Sequence, residues 1–144
     1  MIIKEISYAS VEYATMKRFR EDALRIPLGL TLSDEDLKDE NTQIHIAAIL
    51  DDGTIIGTAL LKPLSQRLVK LRQMAVLPSS QRKGIGRKLV RFAEQNARTR
   101  GFNYIELHAR IYAQGFYEKL GYQIAGEAFI EVTLPTIKMT KRLA

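Results

Sequence analysis

The run Gln81-Arg82-Lys83-Gly84-Ile85-Gly86 holds the residues of this chain best suited to gripping a ligand. Two glycines one residue apart let the backbone turn so that its N–H groups converge, and a helix starting there adds the positive end of its dipole. Such a turn suits a pyrophosphate. Arg82, Lys83, Arg87 and Lys88 put further cations around the first helical turn, where they oppose the dipole unless an anion is bound. The same two glycines would equally serve to pack the helix closely on a sheet, so the pair alone leaves both readings open. The run lacks the Gly-Lys-Ser/Thr ending of a P-loop and the third glycine of a dinucleotide fingerprint. The chain has no cysteine, so thiol chemistry has to come from a cofactor, and its two histidines, His45 and His108, are too few for a histidine-rich metal centre.

That turn needs a strand before it and a long helix after it. Residues 67–76 read as the strand and 77–80 as a turn, while Ile85, Leu89, Phe92, Ala93 and Ala97 mark one face of a helix over 82–100, capped by Gly101. Upstream, residues 2–7 form a first strand, and Ser10 caps a helix running to about Arg25. Its apolar stripe of Tyr13, Met16, Ala23 and Leu24 also carries Arg20, which either snorkels at the edge or points into a cleft. Ser33 caps a short acidic helix, and residues 44–50 and 54–61 make a hairpin through Asp51-Asp52-Gly53, the second strand closed by Pro63. Downstream, 104–109 is a strand with Ile105, Leu107 and Ala109 on one face and Glu106 and His108, then Arg110, on the other. Residues 112–120 form a two-turn helix stopped by Gly121, and 122–142 two closing strands around Pro135. The expected architecture is one α+β domain over 1–144, its mostly antiparallel sheet flanked by helices. The helix crossover makes strands 67–76 and 104–109 a parallel pair.

These residues resemble the GCN5-related N-acetyltransferases, the GNAT superfamily. Its signature, Gln/Arg-x-x-Gly-x-Gly/Ala at a strand-to-helix junction, is matched by Gln81, Gly84 and Gly86, preceded by Met74-Ala75-Val76 and Pro78. A second pattern stands in Phe116-Tyr117-Glu118-Lys119-Leu120-Gly121-Tyr122. Within the superfamily the chain looks most like the small ElaA/YjcF-like branch, which shares a histidine at His45. It departs from that branch at Thr136, where a histidine follows the proline, at Arg72, where a glutamate is usual, and at Arg110, where a glutamine is.

The resemblance implies a central parallel strand pair that splays to admit acetyl-coenzyme A as cosubstrate, with no metal. The pantetheine arm would follow Met74, Ala75 and Val76, with the acetyl carbonyl near the amide of Val76. The pyrophosphate would meet the backbone of Arg82, Lys83, Gly84, Ile85 and Gly86, beside Gln81. Tyr117 matches the family's general acid, which protonates the departing thiolate. Direct acetyl transfer to an amine on a small molecule or protein is then expected in a ternary complex, because without cysteine one route to an acyl-enzyme is closed. His45, His108 and Glu127 are the candidate bases. Arg72, standing where the glutamate is usual, favours the alternative of a coenzyme A-binding regulatory domain without transfer chemistry.

Composition bounds these readings. Hydrophobic residues make up 46% and charged ones 26%, enough apolar material for a folded core in a chain of 144 residues. A net charge of +6 favours an anionic partner: nucleic acid, acidic membrane or a phosphorylated cofactor. No aromatic platform flanks the basic turn, which sets nucleic acid last. No apolar run approaches the roughly 20 residues of a membrane span, and no secretory pattern opens the chain, so a cytoplasmic protein is expected. A homodimer is left open.

Overall fold

The computed structural model describes residues 1–143. Runs of β-branched and apolar residues build four successive antiparallel strands, β1 (Ile2–Ile6), β2 (Ile44–Ile49), β3 (Ile55–Pro63) and β4 (Leu68–Val76). The β2–β3 hairpin closes through Gly53, whose φ of 89° lies in the left-handed region that glycine enters freely. β5 (Tyr104–Arg110) lies parallel to β4, and β8 (Leu134–Arg142) antiparallel to β5. The short strands β6 (Gln123–Ile124) and β7 (Phe129–Glu131) both pair with the outer edge of β8. The sheet order is β1-β2-β3-β4-β5-β8-β6, mostly antiparallel with one parallel pair.

Helices cover both faces. α1 (Val11–Leu24) is capped by Ser10, whose hydroxyl accepts from the Tyr13 amide at 3.0 Å, and it buries Tyr13 and Met16 against Ala47, Ile49, Ile55 and Leu60. α3 (Ile85–Thr99) covers the opposite face, setting Ile85, Leu89, Val90, Ala93 and Ala97 on Ile46, Ala59, Leu61, Leu71 and Leu107. Between them α2 (Asp34–Leu37) carries a capping box between Ser33 and Asp36, and α4 (Gln114–Lys119) follows β5. Strand alternation therefore points Val69, Leu71, Ile105, Leu107 and Ala109 at α3. Lys70, Arg72, Glu106, His108 and Arg110 occupy the opposite face.

Three expectations change. α3 starts at Ile85 rather than at residue 82, because Arg82 and Gly84 both take left-handed φ, 64° and 77°, which a right-handed helix cannot contain. The closing strands do not meet at Pro135, which lies inside β8 opposite Ile130, where its missing N–H disturbs only the short β7 ladder. The hairpin turns instead on Val132 and Thr133, β-branched residues at φ 47° and 65° and hence strained. Arg20 neither snorkels nor lines a cleft: it is fully buried and doubly hydrogen-bonded to Glu40 at 2.9 and 2.6 Å.

Candidate active site

The site is made where β4 leaves β5. Their parallel pairing runs from Leu68↔Tyr104 to Leu71↔Leu107 and stops, although β4 continues to Val76 and β5 to Arg110. The cause is local. On β3, Thr58 pairs with Ala75 but Leu60 with Arg72, so β4 carries one extra residue, and Gln73 there has φ 53°. A bulge bends and twists its strand, opening the sheet along one edge of β4. The hydroxyl of Thr58 holds it by donating to the Gln73 carbonyl at 3.0 Å. Met74, Ala75 and Val76, all half-buried, form the β4 side of this gap.

At the end of β4 stands the glycine turn. The Gln81 amide nitrogen Nε2 donates to the Val76 carbonyl at 3.0 Å, tying turn to strand. Gly84 is the N-cap of α3, and the first intrahelical bond there runs from Lys88 N to Gly84 O at 3.1 Å. The amides of Gly84, Ile85, Gly86 and Arg87 therefore have no acceptor among the described residues. A Cβ added at Gly84 would meet nothing within 4 Å, so the space beside it is open. Gly86 differs: its Cβ would come within 3.3 Å of the Phe116 ring and 3.7 Å of the Met74 methyl. Gly86 thus serves close packing, while Gly84 stands in open space that leaves room for an anion. Arg82, Lys83, Arg87 and Lys88 are exposed around the cradle, and none makes an ion pair among the described residues. Donor set and open space both fit a pyrophosphate.

Tyr117 lies on α4 across the gap. Its ring stacks edge-on against Phe116 at 4.9 Å and Tyr122 at 5.7 Å, and Tyr122 is itself anchored by donating to buried Glu94 at 2.8 Å. Tyr117 is 8% exposed and its hydroxyl has no hydrogen-bond partner, yet the one sealed, unpartnered polar side-chain atom among the described residues is Nδ1 of His45. The Tyr117 hydroxyl thus opens onto the cleft, unlike that of a satisfied core tyrosine. Burial raises its pKa, so it carries its proton at neutral pH.

A cleft of about 580 Å³ joins Tyr117 and Met74 to the polar face of β4 and β5, including Lys70, Arg72, His108 and Arg110, and to Glu131 at the end of β7. Ala75, Val76 and the 81–86 turn lie outside it, so the residues expected to hold a cofactor fall into two groups linked through Met74 and Phe116. The three candidate bases separate. His45 is buried beside Tyr13, its Nε2 donating to the Glu40 carbonyl at 2.8 Å, and burial lowers its pKa. Glu127 is exposed and outside the cleft. His108 lines it, with Nδ1 2.8 Å from Glu131 Oε2. The hydrogen bond from His108, opposed by burial, lowers the Glu131 pKa, so the carboxylate is ionised and Nδ1 donates to it. With Nδ1 engaged by Glu131, Nε2 is the ring nitrogen without a hydrogen-bond partner among the described residues. Glu131 sits 23 positions away on a strand of three residues, and nothing in the sequence marks it.

Arg72, although it lines the cleft, has its guanidinium engaged within the protein. It donates to Glu40 at 3.1 Å, Gln43 at 2.8 Å and the Asp36 carbonyl at 2.7 Å, within a cluster that includes Arg20 and Tyr13. Burial opposes ionisation of Glu40, but hydrogen bonds and charge from Arg20 prevail and lower its pKa.

Residues 9–122 match the family model described as the Acetyltransferase (GNAT) family. A crystal structure described as an N-acetyltransferase from Lactobacillus plantarum aligns with a TM-score of 0.88 at 27% identity over 100% of both chains. ElaA from Escherichia coli aligns at 0.83 with 18% identity over 98% of this chain and 99% of that one. An aminoglycoside 6'-N-acetyltransferase in complex with coenzyme A aligns at 0.79 with 22% identity over 100% and 98%. The latter two are likenesses of fold. With the glycine turn, the splayed strands and a family match over most of its length, the chain belongs to the GNAT family of acetyltransferases.

Proposed function

We propose that the chain transfers acetyl from acetyl-coenzyme A to a primary amine, directly and within a ternary complex. The observation that carries this is the set of unpaired amides from Gly84 to Arg87, opening beside the gap between β4 and β5, with the free Tyr117 hydroxyl across it. The aminoglycoside acetyltransferase with the same fold is complexed with coenzyme A, which supports the choice of cosubstrate. Bound there, the thioester supplies an activated acetyl group.

In this reading the cradle grips the pyrophosphate, and the cations at Arg82, Lys83, Arg87 and Lys88 add long-range attraction. Met74, Ala75, Val76, Gln81 and Ile85 form the wall along which the rest of the cosubstrate lies. His108 Nε2, oriented by Glu131, removes a proton from the acceptor ammonium, directly or through one water. The amine nitrogen then bonds to the carbonyl carbon, the carbon–sulfur bond breaks, Tyr117 gives its proton to the sulfur, and the second proton lost by the nitrogen returns the Tyr117 hydroxyl to its starting state by way of solvent. Arg72 occupies the place of a carboxylate base, but His108 on the neighbouring strand, with Glu131 of β7 beside it, can take that role, which weighs against a domain that only binds coenzyme A. Coenzyme A should raise the melting temperature, by about 2.7 kcal/mol of stabilisation at a hundredfold excess over Kd. Acetyl-coenzyme A with an amine panel should release thiol. Absence of any melting shift would overturn the cosubstrate, and a shift without thiol release across the panel would leave binding without transfer.

A further inference from the structure

The cleft beside His108 is strongly biased in charge: six cationic side chains line it against three carboxylates. Two of the cations are matched, Arg25 to Asp36 at 2.9 Å and Arg72 to Glu40 at 3.1 Å. Lys38, Lys62 and Lys70 have no carboxylate within ion-pair distance among the described residues. Arg110 spends one nitrogen on the Glu131 carbonyl and the Thr136 hydroxyl, at 2.6 and 2.9 Å, and meets no carboxylate. A solvated lysine at a sheet edge is unremarkable, but Lys70 is half-buried in a central strand and directly opposite Lys62. Like charges in that register repel, and each loses hydration as the cleft narrows. Burial lowers the Lys70 pKa, with Glu131 and the cross-strand Glu106, itself 3.6 Å from Lys138, only partly offsetting it. Such a placement is unfavourable for folding and becomes favourable when an anion enters.

We infer that the acceptor is a small primary amine that also bears a carboxylate or phosphate, with Lys70 and Lys62 binding that anion and Arg110 beside it. The amine end then faces His108 and Tyr117, which line the same cleft. A volume of about 580 Å³ suits a small molecule rather than a polymer segment. Polycationic amines would meet repulsion from the unmatched lysines. The inference rests on the acetyl-transfer reading for its chemistry, but its binding site stands on charge and geometry alone.

Calorimetry on the coenzyme A-saturated protein tests it with matched amines: lysine against 1,5-diaminopentane, phosphoethanolamine against ethanolamine, and spermidine as a polycation. The anionic member of at least one pair should bind about 10-fold or more tightly than its partner, and the pair with the larger gap tells carboxylate from phosphate. Lys70→Gln should weaken that binding about 10- to 100-fold, the range for a charged hydrogen bond, while coenzyme A affinity and melting temperature stay level or the latter rises. A structural lysine would instead lower the melting temperature. Equal binding within both pairs, preference for spermidine, no binding by either anionic amine, or unchanged anion affinity in Lys70→Gln would each overturn the inference. Anionic amines that bind with Lys70 dependence but are never acetylated would uphold the site and sink only the transferase reading.

Discussion

In the proposed mechanism two side chains, Tyr117 and His108, carry the proton transfers, and each has a substitution that removes its proton chemistry alone. Tyr117→Phe keeps the ring stacked between Phe116 and Tyr122 and deletes a hydroxyl that has no partner, so the fold should lose little stability. If that hydroxyl protonates sulfur, kcat should fall about ten- to a thousand-fold with coenzyme A affinity unchanged. Normal kcat, with chemistry shown to limit the rate, would remove the assignment. His108→Gln should lower kcat by about 10²-fold, and Glu131→Gln by less, because Glu131 acts through the imidazole. Steady-state kinetics alongside coenzyme A titration checks both; equal losses in coenzyme A affinity would point to general distortion. Tyr117 stands out in the sequence as a candidate because it belongs to a contiguous aromatic motif. His108 was one of three candidates, and its selection depends on Glu131, which reaches it only after the chain turns on the strained Val132-Thr133 pair.

Among the elements, the proposed docking of coenzyme A rests on the strand–turn–helix from β4 to α3. Gly84 and Gly86 should respond differently to substitution. Gly84→Ala places a methyl into open space at a left-handed φ, costing roughly 1–2 kcal/mol in stability and encroaching on the cradle. The variant should melt lower than the parent and show a much smaller rise on adding coenzyme A. Gly86→Val forces Phe116 and Met74 to move, so it should lower both stability and turnover. An undiminished coenzyme A shift in Gly84→Ala would place the pyrophosphate elsewhere. The order of long elements was legible because hydrophobic period and caps mark them: Ser10, Ser33, Gly53 and Gly101 all sit at the boundaries expected. The bulge at Gln73 was not legible, since no glycine or proline announces it, and neither was the division of the first closing strand into the short β6 and β7.

At the scale of the molecule, one buried carboxylate links the N-terminal half to the central sheet. Glu40 joins α1 through Tyr13 and Arg20, and β4 through Arg72, at distances of 2.6–3.1 Å. Glu40→Gln would leave fully buried Arg20 without its counter-charge and should destabilise the fold by about 3–5 kcal/mol, measured by urea unfolding. Loss under 1 kcal/mol would mean that the cluster relaxes into solvent. Acid should act through the same region: burial opposes ionisation of Asp36, but Arg25 and the Ser33 cap outweigh it and bring its pKa to about 2. A depressed folded-state value means this stabilisation is complete above the ordinary aspartate value near 4 and is lost as pH falls toward about 2. Asp36→Asn should therefore flatten the fall in melting temperature across that window. Arg20 lay on the expected helix face, but its partner is far along the chain, and no local pattern could show that it would be sealed rather than exposed.

The most direct test of the whole account is the mass of an acceptor after incubation with acetyl-coenzyme A and the protein, with free thiol followed in parallel. The account predicts an amine carrying one added acetyl group for each thiol released, formed much more slowly by Tyr117→Phe. Thiol release with no acetylated amine would show hydrolysis instead, and acetylation at an undiminished rate in Tyr117→Phe, with chemistry limiting, would contradict the mechanism drawn from this cleft.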